Sequence, residues 1–360
     1  MKRGIVVLGL IVAVMAGVMI VRGGRELRPD ASAEMERDHV LQGRPGARLG
    51  ADAVLSISPR VASARSSSAA PAPRLSPAMQ EYTFAKAFKP IYDRLKAADP
   101  RSPEENWILA KILDGCAAVT GRDASTTRRV GGEEAVARFA ASLSPKDPLR
   151  DKRIAAFAAM NVDRCEGLRD VKVTDKDIHE LLAAAAAAGD PKAAADVVFK
   201  DLLARARDED GRFRVENRVA ITDAEIDTIK RSMESGDPDA LMGAVRIFGF
   251  PMANLSLRVG ADERPADFSA MYSAAQLIAC DLGAACGADS RTVVTGCAMQ
   301  GRCEATTLPE YLYYYAMPPQ ASQQAALYQT YLLQAVKSHD WSAFTFFHGP
   351  QPSVASFVSR

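Results

Sequence analysis

Residues 174–206 read TDKDIHELLAAAAAAGDPKAAADVVFKDLLARA. Thr174 stands where a hydroxyl can accept from the first free helical N–H groups, and an alanine-rich run follows. Gly189-Asp190-Pro191 then punctuates the run. Gly is the residue that closes a helix in the left-handed conformation, Asp can cap the next helix, and Pro suits its first turn. The same grammar recurs, with the two openings 48 residues apart: Thr222-Asp223-Ala224-Glu225-Ile226 opens a helix and Gly236-Asp237-Pro238 ends it. The second helices continue as AAADVVFKDLLARA and ALMGAVRIF, each apolar on one side. Two units of helix, tight turn and helix predict an all-α fold of stacked antiparallel hairpins, a short α-solenoid-like domain.

Outward from this stretch the signals remain helical. Ser102-Pro103-Glu104-Glu105 has the form of a capping box, and Trp107, Ile108, Ile112 and Leu113 continue at helical spacing. Tyr82, Phe84, Phe88, Ile91 and Leu95 mark an earlier helix, with Pro90 expected to kink it. A last helix is expected over 322–337 with Leu327, Tyr331, Leu332 and Val336 inward. Trp341, Phe344, Phe346 and Phe347 would then fold back as an apolar lid. The phrase LLAAAAAAGDPKAAADVV resembles the helix end, turn and helix start of Sel1-like repeats, relatives of the tetratricopeptide repeat, over roughly residues 174–250. The segment AAQLIACDLGAACGADSRTVVTGCAMQGRC resembles uncharacterised exported helical proteins of Gram-negative bacteria. These resemblances imply an α-hairpin fold and an envelope location, and carry no activity.

The N-terminus sets the compartment. After Met1-Lys2-Arg3, residues 4–21 (GIVVLGLIVAVMAGVMIV) form an uncharged stretch of 18 residues. That is close to the ~20 residues a helix needs to cross ~30 Å of hydrocarbon. A cleaved signal peptide is the competing reading, but its apolar core is normally about 7–15 residues. Residues 1–22 are therefore expected to be an inner-membrane anchor that contacts the bilayer through 4–21. Residues 23–76 contain RVASARSSSAAPAPRLSP and read as a disordered Ser/Ala/Pro/Arg-rich tether. The helical domain is expected over 77–350 and a flexible tail over 351–360. A net charge of +1 across 360 residues excludes the electrostatic footprint of a nucleic-acid binder.

Six cysteines, Cys116, Cys165, Cys280, Cys286, Cys297 and Cys303, all follow the apolar segment. The last four are spaced C-x5-C-x10-C-x5-C, without histidine. Structural zinc favours pairs two to four residues apart. Three disulfides are expected, over zinc or free thiols: Cys116–Cys165, and then Cys280–Cys297 and Cys286–Cys303. Oxidised thiols require export, which orients the N-terminus inward and places the domain in the periplasm.

Catalytic signatures are few. The chain has no G-x-S-x-G, no G-x-x-x-x-G-K-[ST] and no H-E-x-x-H. Of the four histidines, His39, His179, His339 and His348, only His339 and His348, which flank Trp341, could in principle meet a metal; solvated or capping histidines are the favoured reading, so neither a metal nor a cofactor is expected. Glu104/Glu105, Glu133/Glu134 and Asp208/Glu209 are carboxylate pairs able in principle to serve as acid and base, though each sits where a helix start or solvent accounts for it. The surface candidate is Glu310-Tyr311-Leu312-Tyr313-Tyr314-Tyr315. On an α-helix Tyr311, Tyr314 and Tyr315 would share a face and Tyr313 would point elsewhere, a composition suited to a partner contact or to packing of the last helices. The expectation is a protein- or peptide-binding scaffold or assembly factor of the envelope, rather than an enzyme. The alternative is a cell-wall or glycan hydrolase built on paired carboxylates.

Overall fold

The capping signals at Ser102, Thr174, Asp190, Thr222 and Asp237 each start a helix of the protein. The computed structural model describes residues 75–116, 133–208, 211, 218–250, 253–262 and 264–347. The expected anchor, the tether up to residue 74 and the expected tail lie outside the described residues. Among the described residues no helix is long and apolar enough to cross a membrane.

Three helices come first. Helix α1 (Pro77–Phe84) is capped by Ser76, which accepts from the Met79 N–H. Helix α2 spans Lys89–Ala97 and α3 spans Pro103–Gly115. The expected kink at Pro90 is a break instead. The chain leaves the helix after Phe84, and Pro90 sits in the first turn of α2, where its missing N–H costs nothing. The capping box of α3 is complete: Ser102 Oγ accepts from Glu105 N–H at 3.2 Å and Glu105 Oε2 from Ser102 N–H at 2.9 Å. Helices α4 (Glu133–Ser142) and α5 (Arg150–Phe157) follow, and α5 runs on through a π-helical turn, Ala158–Val162, and a last turn to Cys165.

The two predicted hairpins are α6 (Asp175–Ala187) with α7 (Pro191–Arg205), and α8 (Asp223–Glu234) with α9 (Pro238–Phe248). Thr174 and Thr222 each complete a capping box. Gly189 and Gly236 take φ of 91° and 73°, the left-handed stop that only glycine adopts freely. Asp190 and Asp237 then cap α7 and α9 through the N–H groups of Ala193 and Ala240. Beyond them lie α10 (Phe268–Asp281), α11 (Arg291–Gln300), α12 (Leu308–Tyr311, continued as a π-helical turn to Ala316) and α13 (Pro319–Ser338). Packing joins α6 to α7, α7 to α8 and α9 to α10 in chain order, while α3 meets α6, α7 meets α9 and α10 meets α13 across intervening helices. Helix α5 instead packs on α11, where Arg153 donates to the Ala298 carbonyl at 2.9 Å.

The protein is therefore mostly helical, with one departure. The aromatic tail is a strand, β2 (Phe344–Phe347), paired antiparallel with β1 (Ser256–Val259). Phe344 is buried in the larger core, and Phe346 packs at its edge against Phe248. In α13 the inward positions are Ala325, Tyr328, Leu332 and Val336, whereas Leu327 is half exposed. Leu327 was expected inside. Tyr328 takes that place because its ring fills the core while its hydroxyl reaches the Asp267 N–H.

All six cysteines are oxidised. Cys116–Cys165 forms as expected and closes the smaller core beside Ile112 and Leu168. The other two bridges are Cys280–Cys286 and Cys297–Cys303, not the crossed pairing expected from the sequence. The cause is local. Gly283 and Gly301 end α10 and α11 in the left-handed conformation, and the chain reverses there. Ala284 N–H bonds to Ala279 O and Arg302 N–H to Gly296 O, which returns each following cysteine to the last turn of its own helix. Each bridge staples one helix end.

Candidate functional site

The tyrosine segment divides differently from the α-helical expectation. Tyr311 is buried, its ring against Gly296 and its hydroxyl 3.0 Å from Gln300 Oε1. Tyr315 is half buried, with the Arg302 guanidinium 5.7 Å from its ring centre. Tyr313 and Tyr314 are 39% and 73% exposed. The reason is the π-helical turn from Leu312 to Ala316, which adds width to the helix and carries Tyr314 off the face of Tyr311. The expected shared face of Tyr311, Tyr314 and Tyr315 is thus corrected to an inner pair, Tyr311 and Tyr315, and an outer pair, Tyr313 and Tyr314.

The carboxylate pairs are occupied in local structure. Glu105 belongs to the α3 capping box, and Glu104 accepts from Ser76 Oγ at 2.5 Å. Glu134 pairs with Arg138 on the exposed side of α4. Asp208 is partly buried and Glu209 lies outside the described residues. His179 stands 4.0 Å from Asp201 and His339 3.3 Å from Glu234; His39 and His348 lie outside the described residues. Among the described residues no group of three His, Cys, Asp or Glu side chains is arranged to hold a metal.

The densest polar chemistry was not singled out in the sequence. It is built where α3, α7 and α9 start. Lys192 is almost fully buried in the first turn of α7, and its Nζ reaches Asp237 at 3.1 Å, Asp190 at 3.3 Å and Glu104 at 3.4 Å. Burial works against its charge, but Asp237, Asp190 and Glu104 outweigh it and hold the pKa above the ordinary lysine value. One turn further on, Asp196 is buried. It accepts from Trp107 Nε1 at 2.9 Å, Lys111 Nζ at 3.3 Å and Arg246 at 2.8 Å. Burial alone would raise its pKa; Lys111, Arg246 and Trp107 reverse that and lower it.

Superposing Gly189 on Gly236 makes Asp196 equivalent to Gly243 and Phe199 equivalent to Arg246. These equivalent positions touch. A Cβ on Gly243 would lie 4.0 Å from Asp196 Oδ1, and the Arg246 guanidinium lies 3.9 Å from the centre of the Phe199 ring. The signal was available in the sequence: Asp196 is a carboxylate inside the apolar run AAADVVF, and such a residue must find partners when buried. Asp239, the residue equivalent to Lys192, has the opposite fate. Burial, and then the charge of Asp237, push its carboxyl up to about 6. Nearby, Tyr82 stands edge-on to Trp107 at 6.0 Å, and burial followed by the Asp239 charge pushes its hydroxyl up to about 12.

No family model, no curated protein and no solved structure matches this chain.

Proposed function

We propose that the chain is a membrane-anchored protein of the bacterial envelope whose disulfide-braced helical domain serves as a scaffold for a protein or peptide partner, with Tyr313 and Tyr314 as contact residues. The observation that carries this reading is the exposure of those two rings on a pinned segment. Tyr311 below them is buried and Met317 after them is buried, so the outer pair is presented without freedom to collapse inward. Rigidly presented tyrosines bury large area at low entropic cost when a partner docks. The finer architecture, a short α-solenoid of stacked hairpins resembling Sel1-like repeats behind a spanning helix at 4–21, belongs to the same proposal. It is supported by the two Gly-Asp-Pro turns and by three oxidised cysteine pairs, which suit an exported domain.

The test is a photo-crosslinking amino acid placed at 313 or 314 in living cells, with Lys337 as the control position. A discrete, reproducible adduct at 313 and 314 and none at 337 supports the scaffold reading. No adduct at either position, or six reduced thiols reachable only from the cytosol, sinks it. One observation favours the second reading, an envelope hydrolase: the Asp239 carboxyl is tuned towards neutrality beside Asp237, and perturbed carboxyls concentrate at catalytic sites. Glycan or cell-wall turnover by the purified chain, lost in Asp239→Asn, would promote that reading over the scaffold.

A further inference from the structure

We propose that the outer edge of β2 is a docking site for an extended peptide segment of a partner protein that carries a lysine or arginine. The register sets Ser256 opposite Phe347 and Val259 opposite Phe344. One step further along the ladder, Gly260 N–H donates to Ala343 O at 2.8 Å. In an antiparallel ladder the hydrogen-bonded pairs alternate, so they fall at Arg258/Thr345 and Ser256/Phe347. The main-chain groups of Phe344 and Phe346 consequently point away from β1. Phe344 N–H turns back onto Trp341 O at 2.8 Å. That leaves the N–H of Phe346 and the carbonyls of Phe344 and Phe346 on the outer edge. The far edge of β1 differs: there the Leu257 carbonyl already accepts from Ala266 N–H at 2.6 Å.

Beside the β2 edge lies an open groove of about 410 Å³, lined by Asp223, Ile226, Asp227 and Lys230 of α8 and by Phe344 and Phe346. The backbone groups on the strand call for a main-chain partner, which an extended segment supplies and a helix does not. Ile226, Phe344 and Phe346 line its base, and most of the surface it exposes is polar. The charge on its rim selects a cation. Asp223 is exposed and has no ion pair among the described residues, and Asp227, 60% exposed, meets Lys230 only at 3.9 Å. Lys230 itself lies over the Phe346 ring, 5.1 Å from its centre. This edge is a different surface from Tyr313 and Tyr314, so the two tests succeed or fail separately.

The test uses the full chain in a nonionic detergent and the probe peptide acetyl-Val-Lys-Val-Lys-Val-amide, with hydrogen exchange followed over residues 341–347. The expected result is slower exchange at Phe346 on adding the peptide. Asp227→Lys, on the solvent side of α8, weakens binding about fivefold, the scale of one exposed ion pair. The same peptide N-methylated at alternate amides, and the acidic analogue acetyl-Val-Glu-Val-Glu-Val-amide, give no protection. Unchanged exchange at Phe346, or equal protection by the N-methylated peptide, overturns the proposal. Protection in the chain alone that is lost on removing residues 348–360 assigns the edge to the chain's own C-terminus and overturns it too, as does protection lost on dilution, which assigns it to a second copy.

Discussion

Replacing Asp239 with Asn removes a carboxyl that the fold holds in the wrong place for its charge. The side chain sits in the first turn of α9, partly buried, with Asp237 two residues before it. Its pKa rises from 3.8 to about 6, first through burial and then through the Asp237 charge. A group whose folded pKa lies above its unfolded value binds more protons when folded. It therefore costs stability as pH rises from about 3.8 through about 6, and the cost is complete above that window. The interval is about two pH units, which at 1.36 kcal/mol each is about 3 kcal/mol as a ceiling. Asp239→Asn should accordingly stabilise the protein by up to about 3 kcal/mol at pH 7.5 and by almost nothing at pH 3.5, where the native carboxyl is already neutral. Urea unfolding at intervals from pH 3.5 to 8 measures the difference directly. Equal stability of variant and parent at pH 7.5, or an offset that does not change with pH, would refute the reasoning.

Loop-closure entropy ranks the disulfides. The Cys116–Cys165 link spans 49 residues and each of the others spans 6, so losing the first as a double Ala variant should cost about 4 kcal/mol against about 2 for either staple; chemical denaturation of the three double variants checks the order. Gly296→Ala drives a Cβ to 2.2 Å from the Tyr311 ring and should cost about 1–3 kcal/mol through overpacking. Combining it with Tyr311→Ala should show strong non-additivity in a double-mutant cycle, and simple addition would mean the two do not meet. Asp196→Ala strands Lys111, Arg246 and the Trp107 indole N–H, and should cost about 3–5 kcal/mol, with a change in Trp107 fluorescence. A loss below about 1 kcal/mol would show that the cluster is solvated and structurally idle.

The sequence was most readable where structure is decided within four residues. Thr174, Thr222, Ser102, Asp190 and Asp237 cap the helices they were expected to cap, because each bond runs from a side chain to a backbone N–H two or three positions away. The Cys116–Cys165 bridge is legible because the other four cysteines lie within 24 residues of one another and leave these two as the remaining pair. Pairing among those four is not, since it turns on whether Gly283 and Gly301 end helices or join a hairpin. The π-helical turn at Leu312 was also invisible: its side-chain order differs from an α-helix only after the chain has committed to five residues of altered spacing. The strand at Phe344 was hidden for a different reason. Its partner, Ser256–Val259, is distant in sequence, and a four-residue apolar run reads equally as a lid or a strand. Lys192 and Asp239 carried no local signal at all, because their environments come from the meeting of helix starts far apart in the chain.

That meeting explains why the charged cluster is better understood as a device for register than as a source of stability. Three helix N-termini, of α3, α7 and α9, carry partial positive charge and approach one another around a buried lysine, an arrangement that repels on its own. Glu104, Asp190 and Asp237 cancel both the lysine and the helix ends, and each can do so only when all three helices stand at one height. Asp196 imposes the same condition one turn along. It needs Trp107 and Lys111 from α3 and Arg246 from α9 at once. Buried ion pairs of this kind gain little over well-packed apolar residues, yet removing one member is expensive. A slip of α3, α7 or α9 along the others would strand several charges together, which disfavours such misalignment. An outer surface can then hold residues such as Tyr313 and Tyr314 in fixed positions without their taking part in the fold.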